Sequence, residues 1–121
     1  MTGFVPAPVK PQVAMDDLDK IDIRVGTIER VEAVPRSNKL VKLTVDFGDQ
    51  RRSVLAGLRQ ECGDPKAELQ GRQGLFVVNL APRKMAGEIS QAMLFDIGYA
   101  DGVVPVLAIP ERPVAIGMRA G

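Results

Sequence analysis

The residues best suited to chemistry lie in one short stretch, NLAPRKMAGEISQAML, at positions 79–94. Two adjacent cations, Arg83 and Lys84, follow an apolar run that a proline interrupts. Arginine binds phosphate as a two-pronged donor and lysine binds it as a compact charge. Gly87 lets the backbone approach a ligand closely, and Ser90 adds a short hydrogen-bonding group. Residues of these types could bind phosphate on a turn between two strands, but a cationic turn is also common as an ordinary solvated hairpin end.

Catalysis finds little support in the same sequence. The chain contains no histidine, the residue most often used as a general base or metal ligand, and no Walker or Rossmann glycine pattern. The one acid cluster, at 16–22, is interpreted as a helix start, because aspartate there caps free amides. Cys62 is the only cysteine, and we expect it to have no redox role. We expect no enzyme activity, no catalytic residues, no metal and no cofactor.

The overall charge excludes a protein that binds nucleic acid through a global field. Formal net charge is only +1 over 121 residues, so any such binding must use a local patch. No apolar run is long enough to cross a bilayer, which predicts no membrane insertion. A single cysteine permits no disulfide within the chain, and we expect a cytoplasmic location.

Alternating apolar residues predict a small, mainly β barrel. Residues 1–13 form a Pro-rich arm, and a short N-terminal helix follows at 15–20. The first strand starts at Ile21, and Gly26 within it predicts a bulge or a sharp bend, of the kind that closing a small barrel requires. The other predicted elements are strands at 41–47, 51–58 and 74–80, a helix at 64–70, and a fifth strand marked by Met93, Phe95 and Ile97. Three strands, a helix and two strands predict a five-stranded OB-fold, a Greek-key barrel.

The C-terminal segment is too apolar for a solvated end. Two prolines confine 103–109 to an edge or extended strand. An exposed apolar edge promotes aggregation, so we expect a second copy to cover it and form a homodimer. The alternative is that the tail folds back over its own barrel. The predicted dimer interface consists of Val103, Val104, Val106, Leu107 and Ile109.

Four segments, in order, resemble the stand-alone tRNA-binding domain of CsaA proteins. They are DIRVGTIERVEAVPRSNKLVKLTVDFG (22–48), AGL (56–58), VVNLAPRKMAGEISQAMLF (77–95) and PVAIGMRAG (113–121). The same module is appended to some methionyl-tRNA synthetases and tRNA-binding cytokine precursors. The resemblance covers 14–121, and it implies an OB-fold, a homodimer and tRNA binding without catalysis. It departs from the family pattern at Val34, Asn38 and Ala56.

The resemblance favours two loops as the tRNA site. In an OB-fold, loops at one face form the binding surface. The predicted contacts are Arg36, Asn38, Lys39, Lys42, Asn79, Arg83, Lys84, Met85 and Ser90. Asn79 would read a base edge or tie the turn together. Without the resemblance, both loops would be interpreted as ordinary solvated hairpin ends.

The shortage of aromatic residues favours folded RNA as the ligand. Proteins that hold single strands stack bases on aromatic rings, but Phe47, Phe76 and Phe95 occupy predicted core positions. A structured RNA recognised by shape and backbone, such as the corner of tRNA, fits these residues better. CsaA proteins are also described as export-related chaperones. The competing hypothesis is therefore a chaperone that binds unfolded or preprotein peptides at an apolar dimer groove.

Overall fold

Two short helices flank a set of antiparallel strands in the computed structural model, which describes residues 3–59 and 63–121. The prediction made for Cys62 lies outside the described residues. Helix α1 spans Met15–Leu18 and α2 spans Pro65–Leu69. Helix α2 begins as its sequence predicts, because the Asp64 side chain accepts a hydrogen bond from the amide of Ala67 at 3.2 Å. A 3-10 turn, Tyr99–Asp101, follows late in the chain.

Ten strands, several of them very short, make up the β structure of the described residues. They are β1 (Ile23–Ala33), β2 (Val41–Asp46), β3 (Arg51–Ala56), β4 (Gln73–Val77), β5 (Arg83–Met85), β6 (Glu88–Ser90), β7 (Met93–Leu94), β8 (Asp96–Ile97), β9 (Val106–Leu107) and β10 (Arg119–Ala120). The main sheet has the order β3-β2-β1-β4-β7, and β10 pairs with the start of β1. Strands β5 and β6 pair with each other, as do β8 and β9.

The sheet nearly closes on itself between β3 and the residues just before β7. Gln91 and Ser53 exchange two hydrogen bonds, from Gln91 N to Ser53 O at 2.8 Å and from Ser53 N to Gln91 Oε1 at 2.9 Å. The five strands of the main path thus form a barrel-like sheet with the strand order of an OB-fold. The predicted fold class is confirmed, including the short helix between the third and fourth strands.

Strand β1 changes its pairing partner near Gly26, the position at which the sequence predicts a bulge or a bend. Residues before it pair with β4 and residues after it pair with β2, with a bulge between Ile28 and Arg30. A side chain at Gly26 would collide with Val45 and with the ring of Phe47. That ring packs edge-on against Phe76, with 5.5 Å between centroids. Glycine is therefore required where the strand crosses the aromatic centre of the core.

The inward-facing residues of the last barrel strand differ from the prediction. Ala92 and Leu94 are buried, whereas Met93, Phe95 and Ile97 are exposed. The prediction that Phe95 belongs to the core was wrong, because alternation places its side chain on the outer face. The expected fifth strand is also split, since β7 pairs with β4 and β8 pairs with β9.

The C-terminal segment folds back along its own barrel. Ala108 O accepts a hydrogen bond from Leu75 N at 3.1 Å, and the Gln73 side chain bonds to both backbone groups of Val114. Leu107 packs against the core. Several apolar side chains of β7–β9 and their surroundings nevertheless remain exposed. We call this set the apolar face: Met93, Phe95, Ile97, Val103, Val104, Val106 and Ile109.

Candidate nucleic-acid interface

The turn predicted to carry Arg83 and Lys84 is itself a β-hairpin, formed by β5 and β6. Arg83 pairs with Ser90 and Met85 with Glu88, which leaves Ala86 and Gly87 as a two-residue loop. Their φ angles are 48° and 83°. Positive φ at both loop residues is typical of a type I′ turn, which suits the twist of a hairpin. Asparagine and glycine usually occupy such turns, and an alanine there hides the hairpin from sequence inspection.

The two cations of β5 project from opposite faces of this hairpin. Paired residues share a face and neighbours along a strand alternate. Arg83 therefore shares a face with Ser90, which is buried against the barrel, while Lys84 shares the outer face with the exposed Ile89. The expectation that Arg83 and Lys84 act side by side on one turn is thereby refined. They offer positive charge in two directions.

Ser90 is engaged by the barrel rather than exposed to a ligand. It is 6% exposed, and its hydroxyl accepts a hydrogen bond from Leu55 N at 3.0 Å and donates one to Ala92 O at 2.8 Å. These bonds dock the hairpin onto β3. The expected contact between Ser90 and RNA therefore has no free hydroxyl to make it, and Ser90 holds the hairpin in place.

Asn79 ties two segments together, which is the second of its two predicted roles. Its side-chain oxygen accepts a hydrogen bond from Asp22 N at 2.9 Å, and its side-chain nitrogen donates one to Lys20 O at 2.6 Å. The amide thus fixes the end of β4 to the residues that precede β1. Both of its polar atoms are used, so base reading is not its main role.

Hydrogen bonds from two side chains fix the backbone of the loop that contains Arg36, Asn38 and Lys39. The Ser37 hydroxyl accepts hydrogen bonds from the amides of Lys39 and Leu40, at 3.1 and 3.0 Å. The Arg59 guanidinium donates to the carbonyl oxygens of Val34 and Ser37. Sequence inspection missed Arg59, since a lone arginine far along the chain gives no sign of reaching this loop. The three predicted contact residues are exposed on the backbone that these bonds fix.

The hairpin tip and this loop touch each other. A methyl group added at Gly87 would lie 3.3 Å from Nη1 of Arg36, which shows that the arginine lies across the tip. Close by, Lys42 Nζ forms an ion pair with Glu88 Oε1 at 3.1 Å. The two predicted loops therefore form one surface. We call it the hairpin surface: Arg36, Asn38, Lys39, Lys42, Arg83, Lys84 and Met85.

Four cations of the hairpin surface lack an acidic partner within the part of the chain that the structure describes. These are Arg36, Lys39, Arg83 and Lys84, all of them exposed. Lys42 differs, since it is half-buried and paired with Glu88. Four cations without an acidic partner among the described residues thus lie on the two loops that meet here.

Three other arginines of β1 and β3 are occupied by protein groups, whereas Arg30 on β1 is exposed. Arg24 binds both carboxylate oxygens of Asp22, at 3.0 and 3.1 Å, and this hydrogen bonding lowers the pKa of Asp22 below its usual value. Arg51 binds Glu29, which raises the pKa of the arginine. Arg52 donates to the carbonyl oxygens of Val78 and Gln91. These three cations stabilise the fold and are less available to a ligand than those of the hairpin surface.

Over residues 3–59 and 63–121, no group of three acidic, cysteine or histidine side chains could hold a metal ion. In those same ranges no helix is long and apolar enough to span a bilayer. What the described surface does offer is a fixed cationic patch suited to phosphate groups.

Residues 23–119 match the family model described as a "tRNA binding domain". The chain belongs to this tRNA-binding domain family. The match includes the whole hairpin surface and all strands of the main sheet path. The segment before residue 23, with the arm and α1, lies outside the matched range.

Solved structures of similar chains agree with the family and with the resemblance to CsaA proteins. A crystal structure of a MetRS-related protein from Pyrococcus horikoshii is 33% identical, with a TM-score of 0.83, and the match covers 93% of this chain and 100% of that one. The CsaA chaperone from Bacillus anthracis is 25% identical, with a TM-score of 0.79, and the match covers 92% of this chain and 100% of that one. The CsaA chaperone from Picrophilus torridus is 28% identical, with a TM-score of 0.77 and coverage of 91% and 100%.

Proposed function

We propose that this tRNA-binding domain binds folded tRNA through the hairpin surface, by charge and shape, and catalyses no reaction. The observation that carries the proposal is the contact between Arg36 and the hairpin tip, which joins two cationic loops into one surface. Arg36, Lys39, Arg83 and Lys84 would contact backbone phosphates. The half-buried Met85 would press its thioether against a sugar or base.

Rigidity of the surface favours a rigid ligand. Both loops are fixed to the barrel, one by Ser37 and Arg59 and the other by Ser90. A fixed array of cations matches phosphates held at fixed spacing, as in a folded RNA, better than those of a flexible strand. The surface also lacks an aromatic residue on which unpaired bases could stack. Because its ligand would be tRNA, we place the protein in the cytoplasm.

Charge reversal on the hairpin tests the proposal. In Arg83→Glu/Lys84→Glu, two phosphate contacts become repulsions, and we expect tRNA affinity to fall about 100-fold or more near 0.1 M salt. Arg72→Glu/Arg112→Glu is the matched control, because it reverses two exposed cations outside the hairpin surface. Fluorescence anisotropy with labelled tRNA measures both variants. Equal affinity of the hairpin variant and wild type would remove the hairpin from the site.

The apolar face supports a second candidate function, a chaperone that binds unfolded or preprotein peptides. Ile97 and Val106 pair across β8 and β9, and they are 58% and 56% exposed. Exposed apolar patches of this kind mark interaction sites. An aggregation assay with an unfolded client, with and without tRNA, tests this function. Protection that tRNA leaves unchanged would indicate two separate sites, and no protection would eliminate the chaperone.

We also propose that residues 14–121 form one domain, which dimerises through the apolar face, and that residues 1–13 form an arm. The described part of the arm, residues 3–13, is exposed throughout, and Val9 is 99% exposed. Val103, Val104, Val106 and Ile109 remain candidates for the dimer interface. Leu107 is a poorer candidate, because it packs against the core of its own chain.

A further inference from the structure

One acid, Glu88, lies beside the hairpin surface and forms an ion pair with one of its cations, Lys42. Segments 35–42 and 79–91 together hold five lysines and arginines but only this one aspartate or glutamate. We propose that Glu88 masks Lys42 as a stand-in for phosphate and thereby sets the affinity and selectivity of the surface for RNA. The inference rests on the proposed function and adds a specificity-determining residue to it.

The Glu88 carboxylate lies directly against Lys42, one of the residues of the hairpin surface. Glu88 Oε1 lies 3.1 Å from Lys42 Nζ, and the two side chains are only 35% and 32% exposed. Partial burial reduces screening by water and salt, so the pair is stronger than one on an open surface. Gly87, the neighbour of Glu88, lies under Arg36. A phosphate that bound Arg36 and Lys42 together would therefore have to displace the carboxylate.

A second acid lies near the same lysine but belongs to the barrel. Glu32 on β1 pairs in register with Lys42 on β2, so their side chains share the outer face of the sheet. The ion pair is nevertheless formed with Glu88. Glu88 belongs to the hairpin and Glu32 does not, so only Glu88 couples the charge of Lys42 to the hairpin.

Masking one cation has a direct consequence for selectivity. The carboxylate repels any polyanion that approaches Lys42, and only a ligand already held by the other four cations can replace it. A folded RNA with several phosphates in place can do so, whereas a flexible strand held by fewer contacts cannot. Repulsion thus adds discrimination that attraction alone would not supply.

The masking role and a purely structural role predict opposite signs. If the ion pair only fastens the hairpin to β2, breaking it loosens the surface and weakens RNA binding. If Glu88 masks Lys42, removing the negative charge frees a cation and strengthens binding. Glu88→Gln separates the two, because it keeps the size and hydrogen-bonding capacity of the side chain and removes only the charge.

The experiment compares tRNA affinity over a series of KCl concentrations in a set of variants. For Glu88→Gln we expect binding about 5- to 10-fold tighter near 0.1 M salt, with a log–log salt slope steeper by about 0.7 to 0.9. Lys42→Gln should weaken binding by the wild type, because it leaves the Glu88 carboxylate without its cation, and should abolish the gain in the Glu88→Gln background. Glu111→Gln removes the same charge from a side chain that is 86% exposed on the C-terminal segment, and it should change neither quantity.

Each other outcome is decisive. Weaker or unchanged binding by Glu88→Gln, with a normal salt slope in wild type, overturns the mask and leaves the proposed function standing. A gain that survives Lys42→Gln overturns the assignment of Lys42 as the masked cation. A wild-type protein without salt-dependent tRNA binding overturns the proposed function and the mask together.

Discussion

The hairpin surface and the apolar face lie on the same barrel, yet they differ in how stable their exposed groups are in water without a partner. The hairpin surface is anchored by hydrogen bonds from Ser37, Arg59 and Ser90, and its outward groups are charges that water solvates well. The apolar face presents Phe95, Ile97 and Val106 to water, although the tail has already folded back beside them.

The difference shows what each region requires from a partner. Solvated cations are stable without a ligand, and they exchange counterions for phosphate when RNA arrives. Exposed apolar area is unfavourable in water and is stabilised only when another surface covers it. We therefore interpret the hairpin surface as a site for a transient polyanion and the apolar face as a site for a lasting protein contact.

The largest expected effect concerns the apolar face. In Ile97→Asp, a dimer formed through this face would bury an unpaired charge twice, at several kcal/mol for each copy, so we expect a monomer at micromolar concentration. Ile89→Asp is the matched control, because Ile89 is 57% exposed on the hairpin and Ile97 is 58% exposed. Sedimentation equilibrium measures both variants.

The same pair of variants sharpens the comparison when tRNA is added. One copy of Ile97→Asp should still bind tRNA, although without the avidity of two linked surfaces. Ile89→Asp should remain dimeric and bind tRNA more weakly, because it places a negative charge beside Lys84 on the outer face. A dimeric Ile97→Asp would show that the apolar face is not the interface.

A smaller effect is expected for the anchor of the hairpin. Ser90→Ala removes the acceptor of the Leu55 amide, and a buried donor left without a partner costs about 1–3 kcal/mol. We expect the free energy of unfolding, measured in urea, to fall by that amount. Ser53→Ala is the control, since Ser53 bonds Gln91 through its backbone alone. Equal stability of Ser90→Ala and wild type would show that the hairpin is held by other contacts.

The barrel could be predicted from sequence because its strands obey simple alternation. Val41, Leu43 and Val45 are all buried on one face of β2, and Gly26 lies where β1 changes from pairing with β4 to pairing with β2. The predicted alternation of buried and exposed residues was wrong at Phe95. There, two-residue strands pair with different partners, and the hydrophobicity of a side chain no longer indicates whether it faces the core.

The candidate site was predicted only in part, for a related reason. Its cations could be recognised from residue type, but the roles of Ser90, Asn79 and Arg59 depend on partners 22 to 59 residues away in the chain. The pairing of Lys42 with Glu88 is likewise a long-range contact. Such contacts follow from the closed barrel, and no local pattern encodes them.

The most direct test of the central claim is a salt titration of wild-type protein with tRNA and with an unstructured single-stranded RNA of equal length. Four free cations predict a log–log slope of about −3 to −4 for tRNA. They also predict distinctly tighter binding of tRNA than of the unstructured strand at every salt concentration. Equal affinities for the two RNAs, or an affinity for tRNA that does not change with salt, would contradict the account.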